Sequence, residues 1–466
     1  MEPIISLKEA AVAMSGRLFN ADGKTLISSV ETDSREVCDG SLFFAFKGDN
    51  VDGHKFIKNA IEGGAVCAVT ESDEPVHDGL PFIKVKSVGQ ALLDLAAVYR
   101  SKINIPIIAV TGSVGKTSTR VMLGYVLSQK YKTLVTKGNL NNEIGVPLTL
   151  FRLDSTYDIA VIEMGMNHFG ELSRITASVK PDTVIITNIG EAHIENLGDR
   201  DGILKAKLEA LEGLASDGTV ILCGDNDKLW GLNGTLDFET LYCGIENKKS
   251  ELVAENVATY ADGTEFTFTF DGNNYRARTS VPGVHHVYNA LISILAGIKY
   301  TVPMKDILSG ITEFVPVGMR QATSKIGEYT VIKDCYNANP TSMKAGLEIL
   351  KLSNSGERKI ACLGDMMELG TISEEAHLKI GKLIPTYGVD CLITVGERAA
   401  LIAKGAEDAG MSKSNIYPFK NNSEVCENIK KILKDDDVIL LKASRSMKLE
   451  EIADFLEESE KGSENK

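Results

Sequence analysis

The sequence predicts an α/β protein of three domains, and three observations carry that prediction. Strand-length apolar runs alternate with helix-compatible stretches along nearly the whole chain. One run, IIAV, enters a glycine-bracketed loop, TGSVGKTS, that opens a helix-compatible stretch. A chain of 466 residues with 43% apolar content exceeds what one core organises.

Residues 1–100 read as a small mixed α/β domain. SLFFAFKG and GGAVCAVTE are its strand candidates, and HKFIKNAIEG and QALLDLAAVYRSK its helices. INIP then leads into a central domain, 101–317, expected to hold a parallel sheet of the P-loop ATPase kind. There KTLVTKGN, DIAVIEMG, TVIITNIG and TVILCGD each stop at glycine, asparagine or an acid. Such endings suit parallel strands carrying ligands at their carboxyl ends. The period changes to two in EFTFTFDGNNYRARTS, a hairpin turning at Asp271-Gly272. HHVYNALISILAGIKY predicts a buried helix. The third domain, 318–466, offers YTVIKDC, KIACLGDM, DCLITVG and DVILLKAS, each followed by an amphipathic stretch. These predict a Rossmann-like, doubly wound sheet without its own phosphate loop. Only EESEKGSENK at the end predicts a disordered tail.

Composition narrows the function classes. A net charge of −14 argues against nonspecific nucleic-acid or anionic-membrane binding. No apolar run is long enough to span a bilayer, and the first residues lack a basic flank and cleavage site. The eight cysteines are scattered without a C-x-x-C pair, as expected of buried hydrophobes in a reducing cytosol. A cytoplasmic monomer is therefore expected, with neither nucleic acid nor membrane as partner.

The loop is built for a nucleoside triphosphate. Gly112 and Gly115 let the backbone around Ser113 and Val114 close on phosphate oxygens. Lys116 reaches the β- and γ-phosphates, the Thr117 hydroxyl can ligate Mg²⁺, and Ser118 completes the stretch. Val110 stands where the longer G-x-x-x-x-G-K-[ST] pattern has its first glycine, so this loop is short.

Other candidates cluster at strand ends and leave alternatives open. Glu163 ends DIAVIEMG, where an acid either helps hold Mg²⁺ or is simply solvated. His193 lies just beyond TVIITNIG as a metal ligand or a structural histidine. Lys205 and Lys207 read as a solvated helix face, and Asn141 and Asn142 as turn residues. Asp334, Tyr336, Asn337 and Asn339 converge in DCYNANPTSM, where helix capping and ligand binding fit equally. Arg320 at the domain junction can reach a developing phosphate charge or pair with an acid. Ser444, Arg445 and Ser446 cap a helix or capture an anion.

In chain order, TGSVGKTS, GNLNNEIGVP, IEMGMNHFGE, TNIGEAH, KAKLEAL, PGVHHVYNAL, GMRQ and DCYNANP resemble the Mur ligase family of ATP-dependent amide-forming enzymes. The resemblance covers nearly the whole chain. GNLNNEIGVPL, DCYNANPTSM, LGDMMELG and SRSMKLE look like the member adding D-alanyl-D-alanine to UDP-MurNAc-tripeptide in peptidoglycan precursor synthesis. The alternative is the neighbouring ligase that adds the third stem-peptide residue, but its DNPR-like signature is not found here.

The resemblance implies ATP and Mg²⁺, with an acyl phosphate between the substrates. Lys116, Lys207, His193 and Arg320 would be catalytic, and Thr117, Glu163 and His193 would hold metal. Lys207, rather than Lys205, aligns with the family's carbamylated lysine. Asn289, Arg320 and Asp334 would join the loop in binding ATP. TDSRE and FKGDN look like UDP-sugar segments, giving Ser34, Arg35, Lys47 and Gly48, with Asn141 and Asn142 toward the peptide. Tyr336, Asn337 and Asn339 would line the dipeptide site. Lys333 and His286 depart from the family pattern, which has an acid and an asparagine there. A nucleotide switch would want N-K-x-D where this chain has TNIGE, and a mere UDP-sugar binder would not need Lys116, Thr117 and Glu163.

Overall fold

The structure is a computed structural model and describes residues 1–48, 51–72, 79–353 and 358–464. Its strands form four sheets. In the first, Ser29–Glu31, Ser41–Phe44, Cys67–Thr70 and Phe82–Lys84 run parallel, with Arg17–Phe19 antiparallel at one edge. The helix Val88–Ser101, capped by the Ser87 hydroxyl, closes this unit and packs toward the next. Its Tyr99 is fully buried and donates a hydrogen bond to the Leu153 carbonyl at 2.5 Å. One apolar cluster therefore runs from the first sheet into one face of the central one.

The central sheet has seven strands, all parallel, with Ile107–Thr111 inside it. Thr133–Val135 and Ile159–Glu163 lie to one side of that strand. Thr183–Ile186, Thr219–Cys223, Glu239–Gly244 and Leu252–Val253 lie to the other. The strand order thus reverses beside Ile107–Thr111, and open parallel sheets bind ligands outside the carboxyl ends at such a point. The hairpin Gly263–Phe270/Asn273–Thr279 turns at Asp271-Gly272, both at positive φ, and pairs with Glu255–Tyr260 as a small antiparallel sheet. The helix Val284–Lys299 is buried along most of its length.

The last sheet orders Ala322–Ile326, Tyr329–Lys333, Val438–Lys442, Lys359–Gly364, Cys391–Val395 and Ile416–Phe419. Only the edge strand Ala322–Ile326 is antiparallel. Each face carries its own apolar cluster.

Two expectations fail, since Cys38 is exposed rather than buried and the chain's end is helical through residue 464. Where a disordered tail was expected, the helix Glu450–Glu464 continues. Ile452, Ala453 and Leu456 bury one side of it, and Lys333 and Lys430 pair with Glu457 and Glu460 at 2.7 and 3.2 Å. The charge run that reads as solvated is tethered to the last sheet. Among the described residues no helix is long and apolar enough to cross a membrane.

Candidate functional site

The phosphate loop sits at the reversal point, joining the strand Ile107–Thr111 to the helix Lys116–Ser128. Gly112 is required there: its φ is +144°, and a Cβ would stand 2.0 Å from Thr187 Oγ1. The loop is stapled to the neighbouring strand end. Thr187 Oγ1 donates to the Val114 carbonyl at 2.5 Å, and the Val114 amide donates to Asn188 Oδ1 at 2.8 Å. The Ser113 amide donates to the Asn188 carbonyl. Gly115 at φ +86° opens the helix without a side-chain cap. The amides of Gly115, Lys116, Thr117 and Ser118 thus have no acceptor among the described residues. Four unsatisfied donors at the positive end of a helix make an anion site.

Lys116 turns back over the loop and donates to the Gly112 carbonyl at 2.7 Å. Burial pushes its pKa down, and the Glu163 charge opposes that shift. Glu163 is 1% exposed at the end of the strand Ile159–Glu163. It accepts hydrogen bonds from Thr117 Oγ1 at 2.9 Å and Asn141 Nδ2 at 2.8 Å, and Arg120 Nε stands 3.4 Å away. A buried carboxylate and a hydroxyl beside a phosphate site are hard oxygen donors of the kind Mg²⁺ takes. No group of three His, Cys, Asp or Glu gathers among the described residues. Nucleotide oxygens and water would complete the shell, the usual arrangement for Mg²⁺. The residues present fit that ion.

His193 lies farther along the rim at φ +63°. Its Nδ1 stands 2.6 Å from Glu368 Oε2 in the last sheet's loop, and this contact holds the Glu368 carboxyl below its ordinary range. Lys205 is exposed over the Phe169 ring, whereas Lys207 in the same helix is 1% exposed. Among the described residues no acid pairs with Lys207. Burial, aided by the Lys116 charge, pushes its pKa well down. Helical period alone divides the two lysines.

The facing wall comes from the last sheet. Asp334 is paired with Lys442 at 2.7 Å, and both are buried. The Lys442 ammonium also donates to the carbonyls of Asp334 and Asn337, each at 3.3 Å. Breaking such a pair costs about 3–5 kcal/mol. The Arg320 guanidinium stacks 3.6 Å from the Tyr336 ring centroid. Asn339 caps the helix Pro340–Leu352 through a capping box with Ser342. Asn337 Oδ1 accepts from the Ala338 amide. Ser444 Oγ accepts from the Met367 amide at 2.8 Å, and Arg445 pairs with Glu450. Asn339 Oδ1 thus serves as a helix cap while the residue also lines the cavity, and Ser444 holds a loop.

Between the walls lies a cavity of about 600 Å³. Loop residues from Ser113 to Ser118 line it, with Glu163 and His193 on the same rim. Arg320, Asp334, Tyr336, Asn337 and Asn339 line it from the other side. Asn289 closes its floor, where Oδ1 accepts from Thr119 Oγ1 at 3.0 Å. Asn141 and Asn142 also reach it, and Asn142 Oδ1 accepts from the Gly145 amide at 2.8 Å at the start of the helix Gly145–Leu150. Ser34, Arg35, Lys47 and Gly48 do not line it; Arg35 is exposed and paired with Asp33. Asp49 and Asn50 of FKGDN lie outside the described residues.

Sequence reasoning missed several residues. Arg120, Asn188 and Lys442 hold Glu163, the loop and Asp334. Tyr288 donates to Asp225 Oδ2 at 2.8 Å on the cavity edge. Gln321 Oε1 accepts from His286 Nε2 at 2.8 Å, and the Gln321 amide also bonds His285 Nε2 at the junction. Lys442 alone left a signal, a cation ending the otherwise apolar run DVILLK.

Comparison with known proteins gives consistent relatives. Three family models match: the Mur ligase family catalytic domain over residues 26–102, the Mur ligase middle domain over 110–297, and the Mur ligase glutamate ligase domain over 319–445. The UDP-N-acetylmuramoyl-tripeptide–D-alanyl-D-alanine ligase of Bacillus subtilis (strain 168) is 35% identical, covering 97% of this chain and 98% of the relative. The ligase of that name from Escherichia coli (strain K12) is 32% identical, covering 98% and 99%. Among solved structures, a MurF from Acinetobacter baumannii matches with a TM-score of 0.88 at 29% identity, covering 97% of this chain and 99% of that one. The MurF ligase of Thermotoga maritima in complex with ADP matches with a TM-score of 0.81 at 25% identity, covering 93% and 98%.

Proposed function

We infer the residue roles from one premise: the chain belongs to the Mur ligase family. It is an ATP-dependent ligase that joins D-alanyl-D-alanine to UDP-MurNAc-tripeptide in peptidoglycan synthesis. One observation carries the residue assignment: four free loop amides, Lys116 and the Thr117–Glu163 pair face Arg320 and Asp334 across a single cavity.

A peptide carboxylate is a poor electrophile, so it must be energised first. Its oxygen takes the γ-phosphoryl group of ATP, releasing ADP and leaving an acyl phosphate. The D-alanyl-D-alanine amine then adds to the acyl carbon. Phosphate leaves with the carbon–oxygen bonding pair, and one proton is released as the amide forms. The loop amides and Lys116 hold the phosphates, and Arg320 meets the charge that develops on the moving group. Asn289 reads adenine, and Asp334 orients the nucleotide from the last sheet. Thr117 and Glu163, with His193 at a further position, would hold Mg²⁺, whose charge would neutralise the phosphates.

In this reading residues 1–100 hold the UDP-sugar through Ser34, Arg35, Lys47 and Gly48. Residues 101–317 bind ATP, with Asn141 and Asn142 toward the peptide, and 318–466 carry the dipeptide on Tyr336, Asn337 and Asn339. The enzyme acts as a cytoplasmic monomer, without nucleic acid or membrane insertion. Lys207 is carbamylated: burial and the Lys116 charge push its pKa down and so favour the free amine, which adds CO₂ and loses a proton to leave an anion near Lys116. ¹³CO₂ labelling followed by NMR checks for a carbamate that disappears in Lys207→Ala.

The reaction is tested by phosphate release from ATP and UDP-MurNAc-tripeptide. Release is expected only with D-alanyl-D-alanine. Turnover with a free amino acid instead would transfer the chain to the neighbouring ligase, and equal ATP use without any amine would overturn the coupling.

A further inference from the structure

The contact between His193 and Glu368 joins two sheets, and nothing in the reaction outlined above uses it. Both residues occupy the left-handed region, at φ +63° and +60°, a conformation that side chains other than glycine rarely adopt without a local reason. The loop bearing Glu368 is held from behind. The Met366 amide donates to His377 Nε2 at 3.0 Å, and the Met367 amide to Ser444 Oγ at 2.8 Å. Asp365 Oδ1 accepts from the Ala399 amide at 2.7 Å. From the other side, the Glu195 amide donates to the Glu368 carbonyl at 3.3 Å, and a Cβ on Gly370 would stand 3.3 Å from Glu195. A rigid loop thus presents one carboxylate to one imidazole, at 2.6 Å from Nδ1.

We propose that Glu368 is a positioning residue for the metal site, fixing the His193 ring from across the cleft so that seating of the last sheet and metal binding reinforce each other. His193 Nδ1 is buried and no other group among the described residues accepts from it, so the carboxylate 2.6 Å away is the acceptor placed to hold a proton there, which leaves Nε2 as the ligating atom. Histidines that bind metals are commonly oriented in this way by an acceptor at the other nitrogen. Because the carboxylate comes from the last sheet, an open arrangement leaves His193 unoriented. The inference rests on His193 being a metal ligand.

Mn²⁺ affinity of the full-length protein with ADP, read by electron paramagnetic resonance without turnover, tests it. Glu368→Ala is expected to weaken Mn²⁺ binding about 10–100-fold, with Glu368→Gln between it and the parent. In a His193→Ala background, Glu368→Ala should add nothing. Loss with His193→Ala but unchanged affinity with Glu368→Ala would overturn the positioning role alone. No loss with His193→Ala would overturn the metal assignment and the inference with it. Glu368 is half exposed, so the variants keep the fold, which melting curves verify.

Discussion

Two loops face each other across the cavity with the same topology, a parallel strand feeding a helix, yet they have opposite chemistry. In the first, Gly115 opens the helix Lys116–Ser128 with no side-chain cap, leaving its leading amides free. In the second, Asn339 and Ser342 close the helix Pro340–Leu352 reciprocally, and Pro340 removes a further donor. The helix end left open attracts phosphate; the one closed on itself presents side chains instead. Capping, not strand order, decides which loop binds the anion.

The largest test removes the cation of the open loop. Lys116→Ala should lower product formation about 10³-fold or more while leaving UDP-MurNAc-tripeptide binding unchanged, since the charge acts on the transferring phosphoryl group. Turnover within tenfold of the parent would break the comparison.

The junction that holds the two loops opposite each other gives the next effect. Burial pushes the pKa of His285 and His286 down, with His285 adding to the shift on His286. Both are neutral in the native state, so above the ordinary histidine value of about 6.5 no stability is lost. As pH falls through that value the unfolded chain takes up protons that the native protein refuses. Stability should therefore decline toward pH 5.5, by at most about 1.4 kcal/mol per pH unit for each histidine. Urea melts at pH 7.5 and 5.5 measure the slope, which His286→Gln should flatten.

Smaller still is the closed loop's cap. Asn339→Ala should cost about 1 kcal/mol of stability and Asn339→Gly only a few tenths. Thermal melts separate the two. Equal losses would mean that Asn339 acts through packing rather than through its bond to the Ser342 amide.

Much of the fold is legible because alternation and apolar runs are local. The hairpin turn at Asp271-Gly272, the buried helix Val284–Lys299 and the inner strands of the central and last sheets follow from period and punctuation, whereas Glu239–Gly244, Leu252–Val253, Ala322–Ile326 and Ile416–Phe419 do not. The terminal helix is not, since its anchors, Lys333 and Lys430, lie on other elements. Lys205 and Lys207 show the limit most clearly: two residues apart in one helix, they differ only in what lies above each face.

By itself the sequence determined the phosphate loop, since a strand, two glycines, a lysine and a hydroxyl residue dictate a local shape wherever they occur. It also determined the alternation of strands and helices. Tertiary structure alone decided what faces that loop: the Asp334–Lys442 pair, the Asn188 staple and the reach of Glu368 to His193. Those contacts join residues far apart along the chain, and their geometry comes from sheet order and packing, which no short window of residues encodes.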